Sequence, residues 1–320
     1  MSGIDWIDML KLKASYGVQG NDNLGTSSVY YYAYADQFTV TNSNGDYAVA
    51  FAFKGNKDIT WETSHAFNVG FDFETFGGRF NGTVEYFNRK TSDLLYNQPV
   101  PISFGYSTIP TNVGSIINQG IELDFNGVLY KNRNVEWTAN FNLTHYKNKI
   151  TDLADDVREE GIKYSNAIYR IGGPLYNAYL PVYAGVNKEN GLPQYYVDPD
   201  NGDYTLTTDY EQAQQSDLGS TLAKVYGGFG TTLSYKGIDL SVDFTYQIGG
   251  QIYDSDYASL MSSPTADGKG TNFHANLFNS WSPENTGSNI PRFQFGDVSN
   301  SSGRFLTSAS YLSLQNINLG

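Results

Sequence analysis

The sequence predicts an all-β chain whose strands build one antiparallel sheet of the kind that walls a transmembrane β-barrel. Three observations carry that reading. Apolar and polar residues alternate with a period of two over long stretches, short and long connections between those stretches strictly take turns, and the composition favours strands. Tyr and Phe supply 26 and 19 of the 320 residues and Gly 33, while charged residues reach only 17%. That mix suits pleated strands, tight turns and wet aromatic surfaces more than helices.

The elements follow in order. Leu10, Leu12, Ala14, Tyr16 and Val18 form an apolar series against Lys11, Lys13, Ser15 and Gln19. From Trp61 to Glu74 the odd positions are mostly apolar (Phe67, Val69, Phe71, Phe73) and the even ones polar or small (Glu62, Ser64, Asn68, Asp72). Such alternation marks a strand with one apolar face. Gly77-Gly78 predicts a tight turn, after which Phe80, Gly82, Val84 and Tyr86 resume the apolar face. A second hairpin sets Ile121, Leu123, Phe125 and Leu129 against Glu122, Asp124 and Asn126, turns over Lys131–Asn134, and continues with Val135, Trp137, Ala139, Phe141 and Leu143. A third runs through Phe229, Leu233 and Tyr235, turns at Lys236-Gly237, and returns through Ile238, Leu240, Val242, Phe244, Tyr246 and Ile248. A last strand lies around residues 310–320, where the phase slips between Leu314 and Ile317 and predicts a bulge.

Eight strands result, joined by three tight turns and four long connections over about residues 20–60, 91–117, 150–224 and 249–309. All tight turns therefore fall at one end of the sheet and all long loops at the other. Loops beyond about 15 residues are uncommon in compact domains, whereas outer-membrane barrels combine short periplasmic turns with long extracellular loops. Alternation alone fits a soluble sandwich equally well, since any sandwich packs one face and wets the other. The asymmetry of the connections separates the two. Nine acids (Glu62, Asp72, Glu74, Glu85, Glu122, Asp124, Glu136, Asp239 and Asp243) fall on the polar faces, where a lumen keeps them hydrated and lipid would not.

A formal net charge of −13 disfavours nucleic acid as a partner. Without cysteine, thiolate chemistry and disulfides are excluded, and His65, His145 and His274 lie too far apart in sequence to suggest a metal cluster. No run of about 18 to 20 apolar residues exists for a spanning helix, and no basic region followed by an apolar run opens the sequence. Glu159-Glu160 reads as solvated loop charge, and Gly172-Gly173 and Gly249-Gly250 as turn or strand-end residues. Asp198–Asp203 has some features of a calcium loop, but its glycine falls one position early and Asp209 stands where the bidentate glutamate belongs, so an ordinary turn is expected. Neither a catalytic residue nor a cofactor is expected.

Several segments carry a resemblance to a known family. They are Leu10-Lys-Leu-Lys-Ala-Ser-Tyr-Gly17 with Gly20-Asn21, Asp58-Ile-Thr-Trp-Glu-Thr63, Asn68-Val-Gly70 with Asp72, and Thr91-Ser-Asp-Leu-Leu95. Asn112-Val-Gly114 with Asn118-Gln-Gly-Ile-Glu122 is the most specific. Asn140-Phe-Asn142 to Lys147-Asn-Lys149, Gly227-Gly228-Phe229, Tyr235-Lys-Gly237 and Tyr311-Leu312 complete the series. In this order and spacing they resemble the SusC/RagA family of TonB-linked outer membrane receptors. The resemblance implies that residues 1–320 are part of a larger barrel, 22-stranded in such transporters, with signal peptide, plug domain and final strands outside them. It implies import of a large nutrient, a glycan or a peptide, across the outer membrane of a Bacteroidota-like Gram-negative bacterium. It also implies a SusD-like surface lipoprotein as partner and energy from TonB through the plug.

Two alternatives stay open at this stage: a passive small barrel or porin, and a secreted carbohydrate-binding β-sandwich. Aromatic rings with polar tips in the long loops are candidate ligand or partner contacts, with Tyr31, Tyr183, Tyr195, Tyr196 and Trp281 foremost. By the resemblance, Glu122 is a candidate contact to plug arginines. Asn68 departs from the wider pattern, where many receptors place a second glutamate.

Overall fold

The computed structural model describes residues 5–25, 27–262, 272–294 and 301–320. Eight strands form the main sheet: β1 Ile7–Asn21, β2 Glu62–Thr75, β3 Phe80–Ser92, β4 Gly114–Lys131, β5 Val135–Leu153, β6 Val225–Tyr235, β7 Ile238–Ile248 and β8 Tyr311–Leu319. They stand side by side in chain order, each antiparallel to the one before.

Register shows why period two specifies this wall. Directly paired residues lie on one face, so one row can be followed across all eight strands: Lys13, Gly70, Glu85, Glu122, Thr144, Tyr226, Gln247 and Tyr311. All nine acids expected on the polar face belong to this side by the same register. The opposite side carries Leu10, Phe73, Gly82, Phe125, Phe141, Phe229, Phe244 and Leu314 in a single row. Phe229 stacks on Phe244 at 4.9 Å between ring centroids, and Phe73 meets both Phe80 (5.3 Å) and Phe125 (6.0 Å). Phe71, Val84, Phe125, Phe141 and Val242 all lie on the side away from Glu122 and Asp243. Among the described residues no second sheet covers this apolar face, and Leu12 and Leu312 are 79% and 64% exposed. A sandwich would bury them. The wall is built for an apolar solvent.

Turns and bulges end the strands where the sequence allows. Gly77 and Gly78 take positive φ (67° and 78°), and their N–H groups both donate to Asp8 Oδ2, at 2.6 and 3.2 Å. Asp8 is itself the extra residue of a bulge between the Ile7 and Met9 pairs. Lys236-Gly237 forms a two-residue hairpin with both φ positive, the type I′ geometry that matches strand twist. The bulge expected near Leu314 is present: Asp243 pairs Asn316 and Phe244 pairs Leu314, leaving Gln315 extra. Leu129 departs from expectation. It is the extra residue between the Val128 and Tyr130 pairs, so the alternation flips there and Tyr130 pairs with Trp137.

The long connections are 22–61, 93–113, 154–224 and 249–310; the second and third are shorter than the sequence suggested because β3, β4 and β5 run further. They carry structure of their own. The first two hold hairpins, Gln37–Ser43 with Asp46–Phe53 and Leu95–Pro99 with Thr108–Asn112. The third holds a four-stranded sheet (Ile162–Tyr164, Ala167–Tyr169, Asn177–Pro181, Gln215–Ser220) and a three-stranded one (Tyr183–Val186, Pro193–Asp198, Asp203–Thr207). The fourth holds the short helix α1, Ser255–Met261, capped by Asp254, whose carboxylate accepts from Tyr257 N–H at 2.8 Å.

The buried residues collect in this loop layer. Ile168, Leu180 and Tyr195 are at most 1% exposed, and Ala258, Met261 and Phe305 form a separate cluster. A further cluster, Val113, Ile150, Leu153 and Ile162, sits at the top of β5. There β5 outruns its neighbour: pairing with β6 stops at His145–Val225, yet β5 continues to Leu153. Above that point Ile150 exchanges backbone hydrogen bonds with Gly172 and Gly173 of the third loop, at 2.9 and 2.8 Å.

Candidate functional site

The polar face of the wall carries the clustered acids and several aromatic rings. At its base the acids are balanced locally: Lys13 Nζ lies 2.9 Å from Asp72 and 3.4 Å from Glu85, and Thr83 donates to Asp72 at 2.8 Å. Lys131 pairs with Glu136 at 3.0 Å. Glu122 is different. It stands directly across from Glu85, like charge beside like charge, in a hollow of about 350 Å³ shared with Asn68, Phe87, Arg89 and Asn118. Among the described residues no cation reaches it within ion-pair distance. Asn68, where a second glutamate might have been expected, lines the same hollow and donates weakly to Ser15 Oγ at 3.4 Å.

Beside this acidic patch the same face turns aromatic. Phe87 pairs across to Gly120, which pairs to Tyr146; Tyr226 and Tyr311 follow in the Glu122 row. A Cβ on Gly120 would come within 2.8 Å of the Phe87 ring, so glycine makes the room the ring occupies. Tyr146 and Tyr226 meet edge to face at 6.1 Å. Sequence reasoning passed over these four. The signal was present: Tyr146 and Tyr226 occupy even positions, in phase with Asn142, Thr144 and Gly228 rather than with the apolar series.

The loop aromatics divide into exposed rings and packing rings. Tyr31 is 81% exposed and, with Tyr30, Tyr34 and Trp61, lines a hollow of about 200 Å³. Tyr196 is half-buried with its ring 5.5 Å from Tyr204. Tyr195, expected as a contact, is 0% exposed, clasped between Tyr183 (5.9 Å) and Tyr210 (5.5 Å). It is a core residue of the three-stranded loop sheet, because the strand Pro193–Asp198 is central and buries one of its faces. Burial pushes the Tyr210 hydroxyl above the ordinary tyrosine range, and that hydroxyl donates to Ser301 O at 2.7 Å. Tyr183 faces the Arg304 guanidinium at 5.9 Å. Trp281 lies over Gly191 and donates from Nε1 to Lys188 O at 3.2 Å, pinning residues 281–292 onto the turn at 187–192. The Asp198–Asp203 segment forms a short 3-10 turn, with the Asp198 carboxylate accepting from Asn201.

The motif asparagines latch loops to wall. Asn112 donates to Thr60 O (3.0 Å) and Asp93 O (2.7 Å) and accepts from Thr60 N–H (2.9 Å), tying the first loop to the second. Asn118 accepts from Asn148 at 2.6 Å, and Asn148 accepts from Leu175 N–H at 2.6 Å, tying β4 and β5 to the third.

Comparison with known proteins decides the family. A family model described as "TonB dependent receptor-like, beta-barrel" matches residues 5–215. The chain belongs to this family. The TonB-dependent receptor SusC of Bacteroides thetaiotaomicron is 26% identical over the whole chain, and a TonB-dependent receptor of Formosa agariphila is 27% identical, again over the whole chain. Among solved structures, the RagAB peptide transporter superposes with a TM-score of 0.84 at 27% identity over 99% of the chain. The chain spans about a third of each relative's length (32%, 34% and 35%, respectively). It is an antiparallel wall segment of a TonB-dependent receptor barrel of the SusC and RagA kind, a family of outer-membrane receptors and transporters.

Proposed function

We propose that this segment forms part of the wall and mouth of an active importer of a large nutrient, with an oligosaccharide as cargo. In this reading a SusD-like lipoprotein sits over the extracellular loops, and TonB supplies energy through a plug outside residues 1–320. The observation that carries the cargo is the aromatic stretch on the lumen face, Phe87, Tyr146, Tyr226 and Tyr311, which lies in and next to the row that holds Glu122. Rings with polar tips suit the alternating apolar and hydroxylated surfaces of sugars. Tyr31 adds exposed ring area in the loops and Tyr196 a half-buried ring, while Trp281 and Tyr183 act through the loop packing they hold.

Glu122 fits a plug contact in this reading. A lumen carboxylate beside Glu85, with Arg89 in the same hollow but no cation of the described wall at ion-pair distance, is set to take an arginine from another element, as a charge-assisted hydrogen bond. The second reading of cargo is an oligopeptide, favoured by the close superposition on RagAB, which is described as a peptide transporter.

The test uses the intact receptor that contains this segment. Titration with oligosaccharides and with oligopeptides should show tight binding only for the former. Tyr146→Ala and Tyr226→Ala should each weaken binding by about 0.5–1.5 kcal/mol. Binding confined to peptides would establish the second reading, and unchanged affinity in both variants would remove the aromatic stretch from the path. Uptake that persists after the proton-motive force is collapsed would make the barrel a passive pore.

A further inference from the structure

The third and fourth loops share a hollow of about 270 Å³ that none of the lumen-face rings lines. Four other tyrosines line it: Tyr164, Tyr169 and Tyr176 from the third loop and Tyr253 from the fourth. Ala178, Leu180 and Leu306 supply an apolar wall, with Ala178 and Leu180 at most 3% exposed. Tyr164 and Tyr176 are exposed, whereas Tyr169 and Tyr253 are half-buried. Tyr169 and Tyr176 meet edge to face at 6.0 Å.

Two features set these rings apart from tyrosines that only pack. Among the described residues none of the four hydroxyls has a hydrogen bond, whereas those of Tyr210, Tyr246 and Tyr257 each have one. Burial pushes the Tyr169 and Tyr253 hydroxyls above the ordinary tyrosine range, so both have lost water without gaining a protein partner. Tyr176 also has a φ of 57°, a left-handed backbone that a bulky residue rarely takes. Thr221 holds it there, its N–H and its hydroxyl both donating to the Tyr176 carbonyl, at 3.2 and 2.7 Å. Such strain persists only where the surroundings over-determine it, and it gathers at ligand clamps.

The lining selects the guest. No charged side chain belongs to it, so neither a cation nor an anion finds a counter-charge. A wholly apolar guest would bury the free hydroxyls unpaired, at a cost. A neutral sugar ring meets both halves of the lining, with C–H groups for the rings and the apolar wall and hydroxyls that donate and accept as phenols do. Sites for drug-sized ligands begin near about 300 Å³, and this smaller hollow suits one ring.

We propose that the hollow is a carbohydrate site separate from the wall. It takes one neutral pyranose ring, packed on Tyr176 and the apolar wall, with its hydroxyls on those of Tyr164, Tyr169 and Tyr253. It rests on the oligosaccharide reading of the cargo and gives one residue of that cargo a place in the loops.

The intact receptor would be titrated by calorimetry with the neutral hexasaccharides of glucose, mannose and galactose. Tyr176→Asn removes the ring at a position whose left-handed backbone asparagine accepts more readily, so Asn177–Pro181 should keep its protection from hydrogen exchange. That variant should weaken binding of the hexasaccharide the parent prefers by about three- to tenfold. The double variant Tyr169→Phe, Tyr253→Phe keeps the ring packing and should weaken it by a similar factor; it decides the matter if Tyr176→Asn loosens the loop. Tyr179→Phe, at a ring outside the lining, should bind as the parent does. Full binding in both test variants would overturn the hollow as a site and leave the oligosaccharide reading to stand on the wall. Weaker binding in Tyr176→Asn alone, with its loop protection intact, would make the hollow an apolar pocket and overturn the sugar assignment. A parent that binds none of the hexasaccharides would overturn the site and the reading together.

Discussion

The wall and the loop layer are made of the same backbone arrangement and are stabilised in opposite ways. Strands β2 to β7 present both faces outward, so apart from Thr75, Thr91, Ile150 and Leu153 at their ends their side chains are half-buried or exposed, and their order comes from the backbone ladder. The loop sheets are short, three to six residues per strand in the third loop, yet they bury Ile168, Leu180 and Tyr195 completely. One region borrows its apolar phase from the membrane; the other makes its own. A strand's face is thus set by its surroundings as much as by its sequence pattern.

That contrast can be broken from either side. Leu180→Ala should cost the loop layer about 2–5 kcal/mol, as for other buried leucines, and hydrogen exchange should rise in Asn177–Pro181 while β2 and β3 keep their protection. Loss of protection throughout the wall would mean that the two regions fold as one unit. Phe125→Arg should cost about 2–4 kcal/mol near the bilayer midplane, measured as a lowered urea midpoint in vesicles. Thr144→Arg, on the lumen face next to Glu122, should be close to neutral, and equal costs for the two arginines would contradict the assignment of faces.

Smaller effects sharpen the picture. Glu122→Gln should leave wall stability within roughly 1 kcal/mol, as for other exposed charges, while raising passive conductance of the intact receptor and sparing ligand capture. Unchanged conductance would leave Glu122 as a hydrated lumen acid. In the first loop, Lys54 Nζ contacts both Asp36 oxygens (3.0 and 2.9 Å) and Gly55 N–H donates to one of them. The Lys54 ammonium, helped by that N–H, holds the Asp36 carboxyl below its usual range. A depressed carboxyl stabilises the folded loop above the usual aspartate value and ceases to do so as pH falls through its own lower one. Proteolysis of residues 22–61 should therefore be constant from neutral pH to about 5 and rise only below about 4. Lys54→Met should raise proteolysis at neutral pH and flatten most of that pH dependence, because Asp36 then titrates more nearly alike in the folded and cleavable loop.

The wall was legible because its strands are long and each residue faces one of two solvents, which makes period two audible over a dozen positions. Gln315 could be located as a bulge since Leu314 and Ile317 sit in the same apolar series on either side of it. Asp8 and Leu129 escaped notice because their bulges lie next to turns, where too few residues follow to show the changed phase. The loop sheets left no such trace. Pro193–Asp198 alternates only between a buried Tyr195 and half-buried neighbours, and its face is fixed by Tyr183 and Tyr210, brought in from elsewhere in the loop. An exposed ring such as Tyr31 and a core ring such as Tyr195 are indistinguishable as letters. The lumen tyrosines could be read from parity, but only once aromatics on a polar face are treated as a signal.

The overshoot of β5 bears on timing. Eight residues above its last pair with β6, at about 3.3 Å each, raise a post about 26 Å beyond the top of that neighbour, and the post is covered by Val113, Ile162 and the Gly172–Gly173 backbone. Amides from Asn148 to Leu153 should then exchange on the slow timescale of the wall rather than the fast one of loop opening. The third loop leaves the wall after Leu153, so its fluctuations end at a clamped joint and the stave beneath stays still.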